Sequence, residues 1–87
     1  MSNPVLQAFG DHLRALRVQR GLSQESLAEL AVLHRTYLGG VERGHRNPTL
    51  LTLLKIAEAL QTPPAELLNY GEWQDHHLIS SSLDRGE

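Results

Sequence analysis

The sequence predicts an all-α fold, and three observations carry that expectation. Leucine and alanine number 17 and 7, against six valines and isoleucines together. Unbranched aliphatic side chains lose little rotamer freedom in a helix, whereas β-branched ones favour strands. Apolar residues recur at steps of three and four, and no stretch shows strand-like alternation. Helix punctuation is also dense: Asn3-Pro4, Ser23, Thr49 and Thr62-Pro63 read as starts, Gly21 and Gly44 as stops.

Taken in order, these signals give five helices. Asn3 offers a capping amide and Pro4 suits the first helical position, so a first helix is expected from Pro4 to about Arg20. Its apolar stripe is Leu6, Phe9, Leu13 and Leu16, and Gly21 ends it. Ser23 caps a short second helix, about Gln24 to Ala31, with Glu25 placed well for the helix dipole. Val32 and Leu33 form a connection. A third helix is expected from about His34 to Arg43, ending at Gly44. Asn47-Pro48 breaks the chain, since a residue before proline avoids the helical region. Thr49 caps a fourth helix with a broad apolar face of Leu50, Leu53, Leu54, Ala57 and Leu60. Thr62-Pro63 opens a short fifth helix that runs through Leu68 or Asn69. The expected organisation is one domain over residues 1–70 and an acidic C-terminal tail or arm over 71–87, where Trp73, Leu78, Ile79 and Leu83 lie scattered among acidic residues and serines.

Composition narrows the function classes. A chain of 87 residues, 40% of them hydrophobic, suits one small domain and leaves no room for a two-lobed enzyme. The absence of cysteine excludes a disulfide scaffold, a thiolate zinc site and a thiol nucleophile. No apolar run approaches the roughly 18–20 residues of a membrane span, and Met1 to Phe9 shows no signal-peptide pattern. A soluble, cytoplasmic protein with no membrane partner is therefore expected. The net charge of −2 divides unevenly. Residues 1–70 carry seven basic and six acidic side chains, and residues 71–87 one basic and four acidic. From His34 to Lys55, Arg35, Arg43, Arg46 and Lys55 stand against Glu42 alone. Local charge governs contact with phosphate, so the total does not exclude a nucleic acid.

Two short helices joined by a tight connection describe a helix-turn-helix. The stretches "GLSQESLA", "RTYL", "VERG" and "RNPTLLTLLKIAEAL", in this order and spacing, resemble the Xre-type, lambda-repressor-like helix-turn-helix family of bacteria and phages. The resemblance spans about Phe9 to Leu68, some two thirds of the chain. It implies a five-helix DNA-binding domain, usually a two-fold dimer, that represses or activates transcription from operator DNA.

Helical geometry sorts the third helix. At about 100° per residue, Leu38 and Val41 point together toward a core, while Thr36, Gly39, Gly40 and Arg43 face the other way. In this motif the start of the second helix of the pair meets base edges in the major groove. Base contact is thus expected from Arg35, Thr36 and Tyr37. Arginine can donate two hydrogen bonds to guanine, and threonine offers a hydroxyl and a methyl. The plainer alternatives are a solvated charge for Arg35, an ordinary first-turn residue for Thr36 and packing against the second helix for Tyr37. Phosphate contact is expected from Gln24, at a helix N-terminus, and from Arg43 and Arg46 after the third helix. Each is alternatively a solvated surface group. The resemblance also implies a structural ion pair between Arg17 and Glu42.

Several positions depart from the family pattern. Val32 occupies a turn position usually taken by glycine, and a β-branched residue resists a positive φ, so a different local shape is expected there. Gly39 and Gly40 stand where many relatives place polar or basic residues, which fits either a closer approach of the helix backbone to DNA or modest specificity. Gln61 and Thr62 replace the glycine and aliphatic residue common before the fifth helix.

Five histidines have no metal-ligand spacing, and no metal or cofactor is expected. No nucleophile elbow, phosphate loop or dinucleotide glycine motif is present, so no catalytic residue and no enzyme activity are expected. The reading is a sequence-specific, DNA-binding transcriptional regulator acting as a homodimer, with Leu67, Leu68, Tyr70 and Trp73 as the self-association surface or, for Leu67, as core closure. The rival reading is a protein-interaction module, such as an antitoxin, whose tail binds a partner protein. The apolar tail residues and the exposed-looking Leu51 motivate it.

Overall fold

The computed structural model describes residues 3–70, which contain four α-helices followed by a short 3-10 helix and no strand. The α-helices are α1 (Pro4–Gln19), α2 (Gln24–Ala31), α3 (Arg35–Glu42) and α4 (Leu50–Ala59). The starts obey local chemistry. The Asn3 side chain accepts from the Val5 and Leu6 amides, Ser23 from Ser26, and Thr49 from Thr52, so each cap satisfies amides that the helix itself leaves without partners.

The four helices also end alike, each on a residue in the left-handed region: Gly21 (φ 71°), Val32 (φ 56°), Gly44 (φ 77°) and Gln61 (φ 52°). At each end the same pair of hydrogen bonds closes the last turn. At Val32 they are Val32 N–H to the Glu29 carbonyl (3.2 Å) and Leu33 N–H to the Ala28 carbonyl (2.8 Å). This is the Schellman arrangement, which glycine suits best. Val32 therefore does not give the turn a different shape. It takes the shape a glycine would take, at a cost of about 1–2 kcal/mol that the surrounding hydrogen bonds and packing offset.

The expected fifth α-helix is instead a 3-10 helix over Pro64–Leu68. Pro63 and Pro64 remove two amide donors and keep the residues before them out of the helical region, so five residues remain to form one tight turn. Thr62 is not its cap. The Thr62 hydroxyl, buried, donates to the Leu60 carbonyl (3.1 Å) and accepts from Arg20 Nη2 (2.6 Å). Arg20 Nε also donates to the Leu60 carbonyl (3.0 Å), so one guanidinium clasps the ends of α1 and α4 together.

The core is aliphatic apart from Phe9, with Leu13, Leu27, Leu38, Val41, Ile56, Leu60 and Leu67 sealed from solvent. It holds α1, α2, α4 and the 3-10 helix behind the inner side of α3. On α4 the buried face is narrower than its apolar composition suggests: Leu50, Leu51 and Leu54 lie exposed, while Ile56 takes the central place. Among the described residues no helix is long and apolar enough to cross a membrane. The expectations for residues 71–87, including Trp73, lie outside the described residues.

Candidate nucleic-acid interface

α2 and α3 form the helix-turn-helix, joined through Val32, Leu33 and His34. The phase of α3 is fixed by Leu38 and Val41, both fully buried. Their burial leaves the exposed Arg35 and Thr36 on the first turn. Tyr37 is half-buried and packed against the core, so only part of its ring is available to a ligand.

Glu42, at the end of α3, turns inward. Its carboxylate accepts from Arg17 Nε (2.7 Å) and Arg17 Nη2 (3.1 Å), and Arg17 Nη1 donates onward to the Leu22 carbonyl (2.8 Å). The two side chains are only 2% and 11% exposed, for Glu42 and Arg17 respectively. Gln24 completes the group, its Nε2 donating to Glu42 Oε1 (3.0 Å). A carboxylate only accepts, so it is the amide nitrogen of Gln24 that faces inward and the oxygen that faces out toward α3. The first residue of α2 is thereby tied to the last residue of α3. Gln24, expected at a phosphate, already spends one donor on this network.

The outer side of α3 differs from expectation at its middle. Gly39 and Gly40 are buried, not open. Arg43 and Arg46 fold back over them: a Cβ on Gly39 would stand 3.0 Å from Arg43 Nη1, and one on Gly40 would stand 2.8 Å from Arg46 Cγ. Arg43 and Arg46 are themselves exposed, and among the described residues neither guanidinium forms an ion pair or hydrogen bond. Arg35 does have a partner, Glu25, with Nη1 to Oε2 at 3.2 Å. Both side chains are about two-thirds exposed (66% and 67%), so water and salt screen the pair and a stronger acceptor displaces it readily. No short sequence spacing announces this contact, because the partners lie ten residues apart on different helices.

The expected self-association residues among those described, Leu67, Leu68 and Tyr70, differ in exposure. Leu67 is 1% exposed and closes the core against α1 and α4, so it is withdrawn from any contact with a second copy. Leu68 is 46% exposed. Tyr70 is half-buried, its ring 4.9 Å from that of His12. His12 Nε2 in turn bonds the Glu66 carbonyl (2.7 Å), which fastens the 3-10 helix to α1. Among the described residues no three histidine, aspartate or glutamate side chains gather to hold a metal.

A compact helical core that presents one short helix, with a positive outer edge, defines a helix-turn-helix domain. The helix-turn-helix family model matches residues 13–67, and the chain belongs to that family of DNA-binding transcription regulators, which are not enzymes. It is 47% identical over 64 residues to the control protein C.SmaI of Serratia marcescens, covering 74% of this chain and 76% of that protein. It resembles the crystal structure of the restriction–modification controller C.AhdI of Aeromonas hydrophila with a TM-score of 0.71 and 56% identity, over 71% of this chain and 94% of that one. A third relative, C.Esp1396I bound to a 19 base pair DNA duplex, matches with a TM-score of 0.70 and 28% identity, over 90% of this chain and 95% of that one.

Proposed function

We propose that this chain is a homodimeric controller of transcription that reads operator DNA in the major groove, of the kind that regulates restriction–modification genes in the cytoplasm. Residues 1–70 form its DNA-binding domain. The observation that carries this reading is the outer side of α3: Arg35 and Thr36 exposed on its first turn, with the uncommitted Arg43 and Arg46 at its other end. Arg35, Thr36 and Tyr37 contact bases, and Arg43 and Arg46 contact phosphates. Gln24 keeps one amide hydrogen for a phosphate beside the N-terminus of α2. The likeness to restriction–modification controllers over most of the chain supports the choice of regulated genes.

Selection of random duplexes by the full 87-residue protein, at near-physiological salt, tests this. The expected result is a two-fold-symmetric sequence with half-sites about 10 bp apart, one helical turn. Light scattering should then give twice the monomer mass of 9.7 kDa. Folded protein that enriches no sequence overturns the reading; a stoichiometric protein retained by residues 71–87 would favour the interaction module instead.

A further inference from the structure

We propose that Gly39 and Gly40 are a seat for the side chains of Arg43 and Arg46, and that this seat sets where two guanidinium groups meet the DNA. The inference rests on the DNA-binding reading and deepens it.

Two adjacent glycines in a helix of eight residues are costly, because only proline is a poorer helix former, so their presence calls for a local reason. The space beside them is occupied. Helical side chains lean toward the N-terminus of their helix, so the residue at i+4 lies over residue i. Arg43 lies over Gly39 in this way, and its Nη1 comes within 3.0 Å of where a Cβ would be. Arg46 lies beyond the helix, yet Gly44 turns the chain back so that its stem crosses Gly40, with Cγ at 2.8 Å and Nε at 3.6 Å from a Cβ there. Arginine side chains fill the space through which a bare α3 backbone would approach DNA, so such an approach would require them to move.

The seat explains a contrast among the arginines. Arg17, Arg20 and Arg35 are each held by acceptors. Arg43 and Arg46, like the exposed Arg14, make no such bond among the described residues, but these two lie against glycines, and that packing restricts their side chains. All five N–H donors of each guanidinium stay available. A side chain ordered by its stem surrenders less freedom on binding than one that sweeps through solvent. The middle of α3 carries no reading side chain of its own, and these two arginines stand in its place.

The experiment is a mutant cycle on the full chain, with the selected duplex as ligand and salt concentration varied. Gly40→Ala is expected to keep or raise Tm, because alanine is the better helix former, while a Cβ evicts the Arg46 stem. Binding should weaken roughly three- to tenfold, and the slope of log K against log salt should fall by up to about 0.9, one phosphate contact. Arg46→Ala should do the same, and the double variant should lose no more than either alone. Gly39→Ala should act in the same direction but less, because the guanidinium tip of Arg43 can move aside. The seat is overturned if Gly40→Ala leaves affinity and salt slope unchanged, if Arg46→Ala has no effect, or if the two losses simply add. Should Gly40→Ala unfold the domain, the same cycle on Gly39 and Arg43 decides. Wild-type protein that binds no duplex overturns the DNA-binding reading itself; wild-type binding with an inert Gly40→Ala overturns the seat alone.

Discussion

Arginine serves this domain in two ways. At the end of α1, the buried Arg17 and the Arg20 of its cap, which is itself exposed, bond only internal acceptors: a buried carboxylate, a hydroxyl and main-chain carbonyls. On and after α3, Arg35, Arg43 and Arg46 are exposed, with one screened carboxylate among them. The residue type is the same, but the surroundings reverse its job. A guanidinium as buried as that of Arg17 demands all its partners, and losing one leaves a charge that water hardly reaches. In solvent it loses almost nothing when a weak partner leaves, which keeps it ready for a phosphate or a guanine.

The largest effect should come from the inner group. Glu42→Ala strands the Arg17 guanidinium and removes the acceptor of Gln24, and should cost about 3–5 kcal/mol, a large share of the stability of so small a domain. Urea unfolding reads this directly; a variant with the midpoint of wild type would erase the distinction between the two arginine sets. Arg35→Ala should leave folding stability within about 1 kcal/mol of wild type, because only an exposed pair is lost. Its DNA affinity should fall by about 1–3 kcal/mol with relaxed preference at one base pair, measured by competition among duplexes altered one position at a time. An unchanged preference would move Arg35 out of base reading. The smallest effect is expected at the joint between α2 and α3. Val32 is 79% exposed, so Val32→Gly removes little buried surface and relieves the left-handed cost of about 1–2 kcal/mol, against about 0.4–1 kcal/mol of added unfolded-chain freedom. Tm should rise slightly with DNA binding untouched, and a fall would show that the valine side chain packs.

The elements were legible where their causes are local. Asn3, Ser23 and Thr49 cap amides two or three residues away, and Gly21 and Gly44 announce their own stops. The inward phase of Leu38, Val41 and Glu42 follows from helix geometry. What stayed hidden depends on distant partners. Val32 and Gln61 end helices in a conformation their side chains disfavour, because tertiary packing outweighs a local preference of about 1–2 kcal/mol. Thr62 looks like a cap and is claimed by Arg20, 42 residues earlier. α4 is apolar on several sides, so periodicity alone did not single out Ile56 over Leu50 and Leu54. In the site, residue types gave the positions of Arg35 and Thr36, but the cover over Gly39 and Gly40 arises from long side chains folding back from a loop.

The bond between Gln24 and Glu42 has a mechanical consequence. α2 and α3 are joined at one end by a tight left-handed turn and at the other by this bond, which is anchored through Arg17 to α1. A pair of rods pinned at both ends resists scissoring. If the two helices seat in a groove as proposed, much of any mismatch between its width and their span would fall on the duplex. Sequences that narrow, widen or kink at small elastic cost would then be expected to bind more tightly, even at base pairs no side chain touches. The stiffness of this wedge turns the flexibility of DNA into part of what it recognises.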